Sequence, residues 1–125
     1  MKNIYLVIIL SLLSFSSLDL VAENIATEVE RKMNVIISFD VKNGNEEKFL
    51  EVLASVKESL PKVSGCHDVE IFSDESDSSK FTLVETWDSK AAHQAHINKV
   101  VESGDWAEIE GLLKVQPSSS YYQKL

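Results

Sequence analysis

Two short segments of the chain place apolar residues at every second position, and this pattern restricts the possible folds more than any other feature of the sequence. In residues 34–41 the apolar positions of one parity are Val35, Ile37, Phe39 and Val41. In residues 81–87 the positions of one parity are Phe81, Leu83, Glu85 and Trp87. Successive side chains of a β-strand point to opposite faces, so each segment predicts a strand with one face turned toward a core.

Helical spacing replaces this alternation in two longer segments. After the turn residues Asn43 and Gly44, Asn45 is placed to cap a helix that ends at Pro61. The apolar stripe of this helix comprises Phe49, Leu50, Val52, Leu53, Val56 and Leu60. Ser89 is placed to cap a second helix over Lys90–Ser103. The face that this helix is expected to turn to the core comprises Ala92, His93, His96, Ile97, Val100 and Val101.

Weaker patterns complete the chain. A strand is predicted over residues 66–72, a polar hairpin loop over residues 73–79, a short helix from Asp105, and a last strand around residues 119–123. The resulting order is β-α-β-β-α-α-β. It indicates an α+β fold of the ferredoxin-like kind, in which a split β-α-β arrangement places the helices on one face of an antiparallel sheet.

Glu85 is the one charged residue on the apolar face of the predicted strand over residues 81–87. A carboxylate among apolar side chains costs free energy unless it accepts a hydrogen bond. We therefore expect Glu85 either to have a buried donor or to lie at the wall of a cavity.

The first part of the chain reads as an export signal. Residues 1–22 contain the basic residue Lys2, an apolar run and a small terminal residue, Ala22. This is typical of a secretory signal peptide cleaved after Ala22, and it predicts a periplasmic or secreted protein. The apolar run is shorter than the roughly 20 residues of a membrane-spanning helix, so we expect no stable membrane anchor, and a retained anchor is the alternative. Residues 23–32 are charged and predict a linker, which leaves residues 33–125 as the folded domain.

Charge and cysteine content exclude several classes of function. The formal net charge is −8 and the isoelectric point is near 4.8, so the chain is expected to repel nucleic acid. The single cysteine, Cys66, has no partner for an intramolecular disulfide. His93 and His96 have a spacing that could bind a metal, but no third ligand is evident, so no metal site is predicted.

Several short motifs together resemble a known family. They are Val41-Lys42-Asn43-Gly44, Ser64-Gly65-Cys66, Glu85-Thr86-Trp87 at the end of a strand, and Ala95-His96 on the helix that follows. They are similar to motifs of the antibiotic biosynthesis monooxygenase domain, and the resemblance covers about residues 33–125. Its most specific part is the Glu-x-Trp motif followed by the Ala-His pair.

The resemblance implies a dimeric α+β barrel. Several members of this family, including quinol monooxygenases, oxidise phenolic or quinol substrates with O2 and with no metal or flavin. It therefore predicts a cofactor-independent monooxygenase that acts on a small aromatic substrate and O2. The family also contains members with no established reaction, so a non-catalytic module that binds a small apolar ligand is the alternative.

The resemblance also implies roles for individual residues. His96 is the predicted base or hydrogen-bond donor, Trp87 the stacking wall and Glu85 an orienting acceptor. We expect Ile37, Phe39 and His93 to contact the substrate together with Trp87.

The same resemblance bears on two further alternatives. The haem-degrading branch of the family places an asparagine near the position of Ile37, whereas Asn34 lies on the opposite face of the strand, so haem degradation is disfavoured. A histidine on an apolar helix face, such as His96, is also typical of a core histidine satisfied by a carboxylate or a carbonyl. Trp106, Tyr121 and Tyr122 could line a pocket or seal a dimer, and the sequence does not choose between these.

The predicted strands carry apolar residues on both faces, for example Ile36 beside Ile37 and Val84 beside Leu83. Two helices cover only one face of a four-stranded sheet, so the second face needs another cover. A second copy of the chain is the simplest one, and a homodimer is therefore predicted.

Overall fold

The computed structural model describes residues 32–125. The predicted signal peptide, residues 1–22, and residues 23–31 of the predicted linker lie outside this part of the chain. In order, the elements are β1 (Met33–Asp40), α1 (Glu46–Ser59), a 3₁₀ turn (Leu60–Lys62), β2 (Cys66–Ser73), β3 (Lys80–Trp87), α2 (Lys90–Ser103), α3 (Asp105–Gly111) and β4 (Ser118–Tyr122).

The four strands form one antiparallel sheet in the order β2-β3-β1-β4. The first and third strands of the chain are central, and the second and fourth form the edges. This is the strand order of the ferredoxin-like split β-α-β arrangement, so the predicted fold class is confirmed. Each predicted strand lies within two residues of its observed bounds, and α2 has the predicted bounds.

One face of the sheet carries the core. On this face Val35 pairs with Glu85 of β3 and with Tyr121 of β4, and Glu85 pairs in turn with Val69 of β2. A single row therefore crosses the sheet as Tyr121, Val35, Glu85 and Val69. The buried apolar residues are Val35, Ile37, Phe39, Val41, Phe49, Leu53, Leu60, Cys66, Val69, Phe81, Leu83, Trp87 and Leu113.

The opposite face of the sheet is partly exposed. Ile36 of β1 pairs with Val84 of β3 on this face, and both side chains are only half-buried. Phe72 and Tyr122, which belong to the same face, are exposed. The helices of residues 32–125 contribute their apolar side chains to the core on the other face.

Two residues that the helical spacing placed on the core side are exposed instead. Leu50 is 51% exposed and Val101 is 53% exposed. Leu50 follows Phe49 by about 100° around the helix axis, which puts it at the flank of the stripe formed by Phe49 and Leu53. The buried stripe is therefore narrower than the apolar pattern.

The start of α1 also differs from the prediction. Asn45 precedes the helix as expected, but its side chain accepts no capping hydrogen bond. Glu46 reaches back instead, and its Oε2 accepts a hydrogen bond of 2.7 Å from the backbone N–H of Gly44. Among the residues that the structure describes, no helix combines the length and the apolar character needed to cross a bilayer.

Candidate functional site

A cavity of about 830 Å³ lies between the core face of the sheet and the helices. The sheet contributes Ile37, Phe39, Leu83 and Glu85 to its wall. The helices and the segment after α3 contribute Lys48, Val52, Ser55, Val56, Ser59, His96, Ile97, Val100, Asp105, Trp106, Glu108, Ile109, Gly111 and Leu112, and the 3₁₀ turn contributes Leu60. Ile37, Phe39, Glu85 and His96 of the predicted site thus share one cavity, whose wall is largely apolar.

Glu85 is only 5% exposed and lies in the middle of the sheet. Its Oε2 accepts a hydrogen bond of 2.8 Å from the indole Nε1 of Trp87, two positions along the same strand. Burial raises the pKa of the Glu85 carboxyl above its ordinary value, and the bond from Trp87 acts in the opposite direction. Glu85 therefore has both properties that were expected of a carboxylate at this position, a buried donor and a place in a cavity wall.

Trp87 is fully buried and is not among the residues that line the cavity. Its ring contacts His93 edge-on and His96 at a tilt, with 5.4 Å between ring centroids in each case. The indole thus contacts Glu85 through a hydrogen bond and packs against the rings of both histidines. The structure places it behind the cavity and not at the stacking surface that was predicted for it.

His93 is buried between the helix and the sheet, 4% exposed, and it is not among the cavity-lining residues either. Its Nδ1 forms a hydrogen bond of 2.8 Å with the hydroxyl of Tyr121. Its Nε2 has no hydrogen-bond partner and lies 3.7 Å from Oε2 of Glu85. Burial is the main cause that lowers the pKa of His93, and the neighbouring His96 lowers it further. The neutral imidazole is therefore favoured.

His96 lines the cavity one helical turn beyond His93 and is half-buried. Burial is the main cause that lowers its pKa, and the positive charge of Lys99 adds to the effect. A neutral imidazole can accept a proton from a bound molecule. A neutral imidazole thus lies at the wall of a largely apolar cavity.

The position of α2 depends on two local features. The side chain of Ser89 accepts a hydrogen bond of 3.1 Å from the backbone N–H of Ala92, as the sequence predicted for the helix cap. Gly65 has φ +87°, and a Cβ built on it would lie 2.9 Å from Cβ of Ala92. Because Gly65 has no side chain, α2 can approach the sheet closely enough to bury His93.

Tyr121 is a member of this site whose role the sequence left open. It lies on β4 directly opposite Val35, and Nζ of Lys90 lies 4.9 Å from the centre of its ring. Burial is the main cause that raises the pKa of the Tyr121 hydroxyl, and the negative charge of Glu85 raises it further. The alternation of β4 places Tyr121 on the core face, but its contact with His93 depends on the pairing of β4 with β1.

Three other sequence predictions concern Cys66, a metal site and Asn34. Burial and the nearby Glu85 raise the pKa of the Cys66 thiol to about 11, so this thiol stays protonated and is a poor nucleophile. Within residues 32–125, no three or more His, Cys, Asp or Glu side chains are grouped in a way that could hold a metal ion. Asn34 lies on the sheet face opposite the cavity, where its Oδ1 accepts a hydrogen bond of 3.1 Å from Thr86.

The arrangement combines a neutral base, a buried carboxyl group and a largely apolar space. Such a space suits a small aromatic molecule, because its volume is in the range of small-molecule sites and the larger part of its wall is apolar. His96 can take a proton from this molecule, and Glu85 can exchange one or hold a hydrogen-bond donor.

Comparison with known proteins gives a family match over residues 33–99, to the family described as antibiotic biosynthesis monooxygenase. Among solved structures, the chain is similar to a conserved protein from Methanosarcina mazei Go1, with a TM-score of 0.68 and 18% identity over 80% of this chain and 99% of that one. It is also similar to a protein of unknown function from Nitrosomonas europaea, with a TM-score of 0.65 and 22% identity over 76% of this chain and 90% of that one.

A third similar structure is described as an antibiotic biosynthesis monooxygenase. Its TM-score is 0.67, and its 17% identity extends over 74% of this chain and 98% of that one. At these identities the similarity shows a shared fold. A search of curated proteins finds no significant match to the chain.

Proposed function

Because the chain belongs to the antibiotic biosynthesis monooxygenase family, we propose that it is a cofactor-independent monooxygenase that oxidises a small phenolic or quinol substrate with O2. The observation that carries this proposal is the cavity of about 830 Å³, whose wall contains the buried carboxyl of Glu85 and the half-buried imidazole of His96 as groups suited to proton transfer, whereas Lys48, Asp105 and Glu108 of the same wall are exposed. The apolar residues around them, such as Ile37 and Phe39, suit an aromatic ring.

The reaction needs a base and little else from the protein. His96 removes a phenolic proton, and the phenolate that results is rich enough in electrons to transfer one to O2. The semiquinone and superoxide then combine, which forms a C–O bond. Loss of the ring proton and cleavage of the O–O bond give a hydroxyquinone and water.

This scheme balances without a further reductant. A quinol and O2 give a hydroxyquinone and water, so one oxygen atom enters the product and the other leaves as water. All four electrons come from the organic substrate, and so do both protons of the water. The protein must therefore hold the protons in the cavity until the O–O bond breaks. Burial raises the pKa of the Glu85 carboxyl, which suits it to keep a proton, and lowers the pKa of His96, which leaves its imidazole free to accept a proton and then release it.

The direct test is oxygen uptake by the purified protein with a panel of phenols and quinols, followed by a labelling experiment with ¹⁸O2. We expect uptake of one O2 per substrate, with one labelled oxygen atom in the product and one in water. The variant His96→Ala removes the proposed base and should lower this uptake. His67→Ala is its matched control, because His67 is exposed and pairs with Asp88 outside the cavity. Two labelled atoms in the product would contradict a monooxygenase.

The alternative is a module that binds an apolar ligand without converting it. Its distinguishing outcome is saturable binding of aromatic compounds in the cavity, weakened by a bulky substitution such as Leu83→Trp, with no oxygen uptake across the whole panel. That result would overturn the proposed reaction and leave the cavity as a binding site.

We further propose that the protein is exported. The support is the pattern of residues 1–22, with Lys2, an apolar run and Ala22. Mass spectrometry of the protein recovered from the exported fraction should give an N-terminus at or near Glu23. Soluble cytoplasmic protein that keeps residues 1–22 would contradict export.

We also propose that the protein is a homodimer, formed through the half-exposed sheet face. The support is the apolar character of Ile36, Phe72, Val84 and Tyr122 on that face. Two copies related by a two-fold axis would pack these faces together and remove them from water.

A further inference from the structure

One buried polar atom has no role in the reaction proposed above. Nε2 of His93 makes no hydrogen bond although the residue is 4% exposed. An unsatisfied buried nitrogen destabilises a protein, and in a native fold it calls for a functional or structural reason. Its position between two other titratable groups provides such a reason.

His93 lies between Glu85 and Tyr121. Its Nδ1 is hydrogen-bonded to the Tyr121 hydroxyl at 2.8 Å, and its Nε2 faces Oε2 of Glu85 at 3.7 Å. A movement of about 0.5 to 1 Å would bring the second pair into hydrogen-bond distance. Glu85 lines the cavity, whereas Tyr121 lies on the edge strand β4 and is partly exposed.

We propose that Glu85, His93 and Tyr121 form a proton-transfer chain that connects the cavity wall to the edge of the sheet, with His93 as the positioning residue that links the other two. The proposed chain rests on the proposed function only for its use in turnover, where it would take up and return the protons that the substrate releases. His93 does not contact the substrate in this arrangement.

The proton-transfer chain works through two tautomers of the neutral His93 imidazole. When Glu85 is ionised, Tyr121 donates to Nδ1, and Nε2 carries the proton and donates to the carboxylate. When Glu85 is protonated, its hydroxyl donates to a bare Nε2, and Nδ1 donates to Tyr121, whose own proton points to solvent. The two states differ by one proton, which enters or leaves at Tyr121 while Glu85 gains or loses one.

Other titratable groups surround the proton-transfer chain and influence its two protonation states. His96 belongs to the same helix as His93, and Cys66 of β2 lies near Glu85. Lys90 lies over the ring of Tyr121. Burial favours the neutral forms of both His93 and Glu85, which is the condition under which a tautomer change, and not a net charge, carries the proton.

The test is NMR of the ¹⁵N- and ¹³C-labelled full chain between pH 4.5 and 9, without substrate. Imidazole ¹⁵N shifts distinguish the two neutral tautomers of His93, and ¹³C shifts follow the carboxyl of Glu85. We expect His93 to change tautomer with the same midpoint as the titration of Glu85. Glu85→Gln should abolish the transition and hold His93 in the Nε2–H tautomer, because the amide oxygen that accepts the hydrogen bond from Trp87 occupies the position of Oε2 and faces Nε2 of His93.

Two further variants complete the test. Glu70→Gln removes an exposed carboxylate from β2 and should leave the midpoint of His93 unchanged. Tyr121→Phe removes the partner of Nδ1 and should shift that midpoint. A single His93 tautomer across the whole range, or a transition that persists in Glu85→Gln, would overturn the proposal.

These spectra need no turnover, so they test the proton-transfer chain independently of the proposed reaction. If the wild-type protein oxidises a quinol, Tyr121→Phe should lower kcat and alter its pH profile, with KM unchanged. A change in KM alone would contradict the role assigned to Tyr121.

Discussion

The indole Nε1 of Trp87 donates a hydrogen bond of 2.8 Å to Oε2 of Glu85, and both side chains are buried. Side chains two positions apart on a strand lie on the same face, so the alternation of β3 places this donor on the same side of the sheet as the carboxyl group. The bond offsets part of the cost of placing a carboxyl group in the middle of the sheet. It explains how Glu85 is tolerated among apolar neighbours.

Trp87→Phe should test this relationship, because phenylalanine keeps a buried ring and removes the donor. We expect a loss of stability of about 1 to 3 kcal/mol from the unsatisfied carboxyl group, in addition to the lost ring volume. The pKa of Glu85 should rise further, since the bond from Trp87 lowers it in the native protein. Urea unfolding measures the first effect and carboxyl ¹³C NMR the second. Tyr122→Phe is the control, because Tyr122 is exposed on the opposite face of the sheet, and it should leave the pKa of Glu85 unchanged.

His96→Ala tests the proposed base. We expect turnover to fall by roughly 10²- to 10⁴-fold, which is the usual contribution of a positioned acid or base. Oxygen uptake with the best substrate of the panel is the measurement, and circular dichroism should show an unchanged fold. Full activity of His96→Ala on every substrate would show that the role assigned to His96 is wrong.

Gly65→Ala tests the close approach of α2 to the turn before β2. Alanine at φ +87° is strained, and its Cβ would lie 2.9 Å from Cβ of Ala92. Gly44→Ala is a matched control, because Gly44 has φ +90° and a Cβ there has no neighbour within 4 Å. We expect about 1 to 2 kcal/mol of destabilisation from the backbone alone in Gly44→Ala, and a larger loss in Gly65→Ala. Equal losses would show that the contact with Ala92 is unimportant.

The buried histidine should make stability depend on pH. The folded protein binds the His93 proton less readily than the unfolded chain does, so His93 contributes stability that is lost as pH falls below its ordinary pKa of 6.5. His93→Gln should therefore show a smaller gain in stability between pH 5.5 and pH 7 than the native protein. Urea unfolding at both values measures it, and Gln94→Ala, an exposed change on α2, should keep the native difference.

Glu85 should act in the opposite direction. Burial raises the pKa of Glu85, so the folded protein binds the proton of this carboxyl more readily than the unfolded chain does. The stability that Glu85 contributes is therefore lost as pH rises above the ordinary glutamate pKa of 4.5. Glu85→Gln should therefore show a larger gain between pH 5.5 and pH 7 than the native protein. A smaller gain would contradict a raised pKa at this carboxyl.

Val84→Lys tests the proposed dimer. A lysine in the centre of the half-exposed sheet face would bring two charges together across a two-fold axis, so we expect a shift from dimer to monomer in light scattering at micromolar concentration. Val101→Lys is the control, because Val101 is exposed on α2, on the other side of the sheet. A native protein that is already a stable folded monomer would contradict the proposal.

The sequence by itself determined the strands, their faces and the unusual position of Glu85. Strand periodicity depends only on the alternation of the backbone, so the core positions of β1 and β3 could be assigned without knowing their neighbours. The cap at Ser89 and the end of α2 at Gly104, which has φ +88°, are equally local. These signals place Glu85 and His96 on faces that turn toward the same core, and they predict the α+β class.

Only the tertiary structure decided which groups meet. The helical spacing puts His93 and His96 on one face of α2, but the rotation and depth of that helix depend on its packing against Gly65 and the sheet. This packing buries His93 beside Glu85 and leaves His96 at the cavity. Tyr121 reaches His93 because β4 pairs with β1, a contact between residues distant in the chain that no local pattern encodes. The physical reason is that local periodicity fixes the direction of a side chain relative to its own element, whereas its neighbours depend on how separate elements pack.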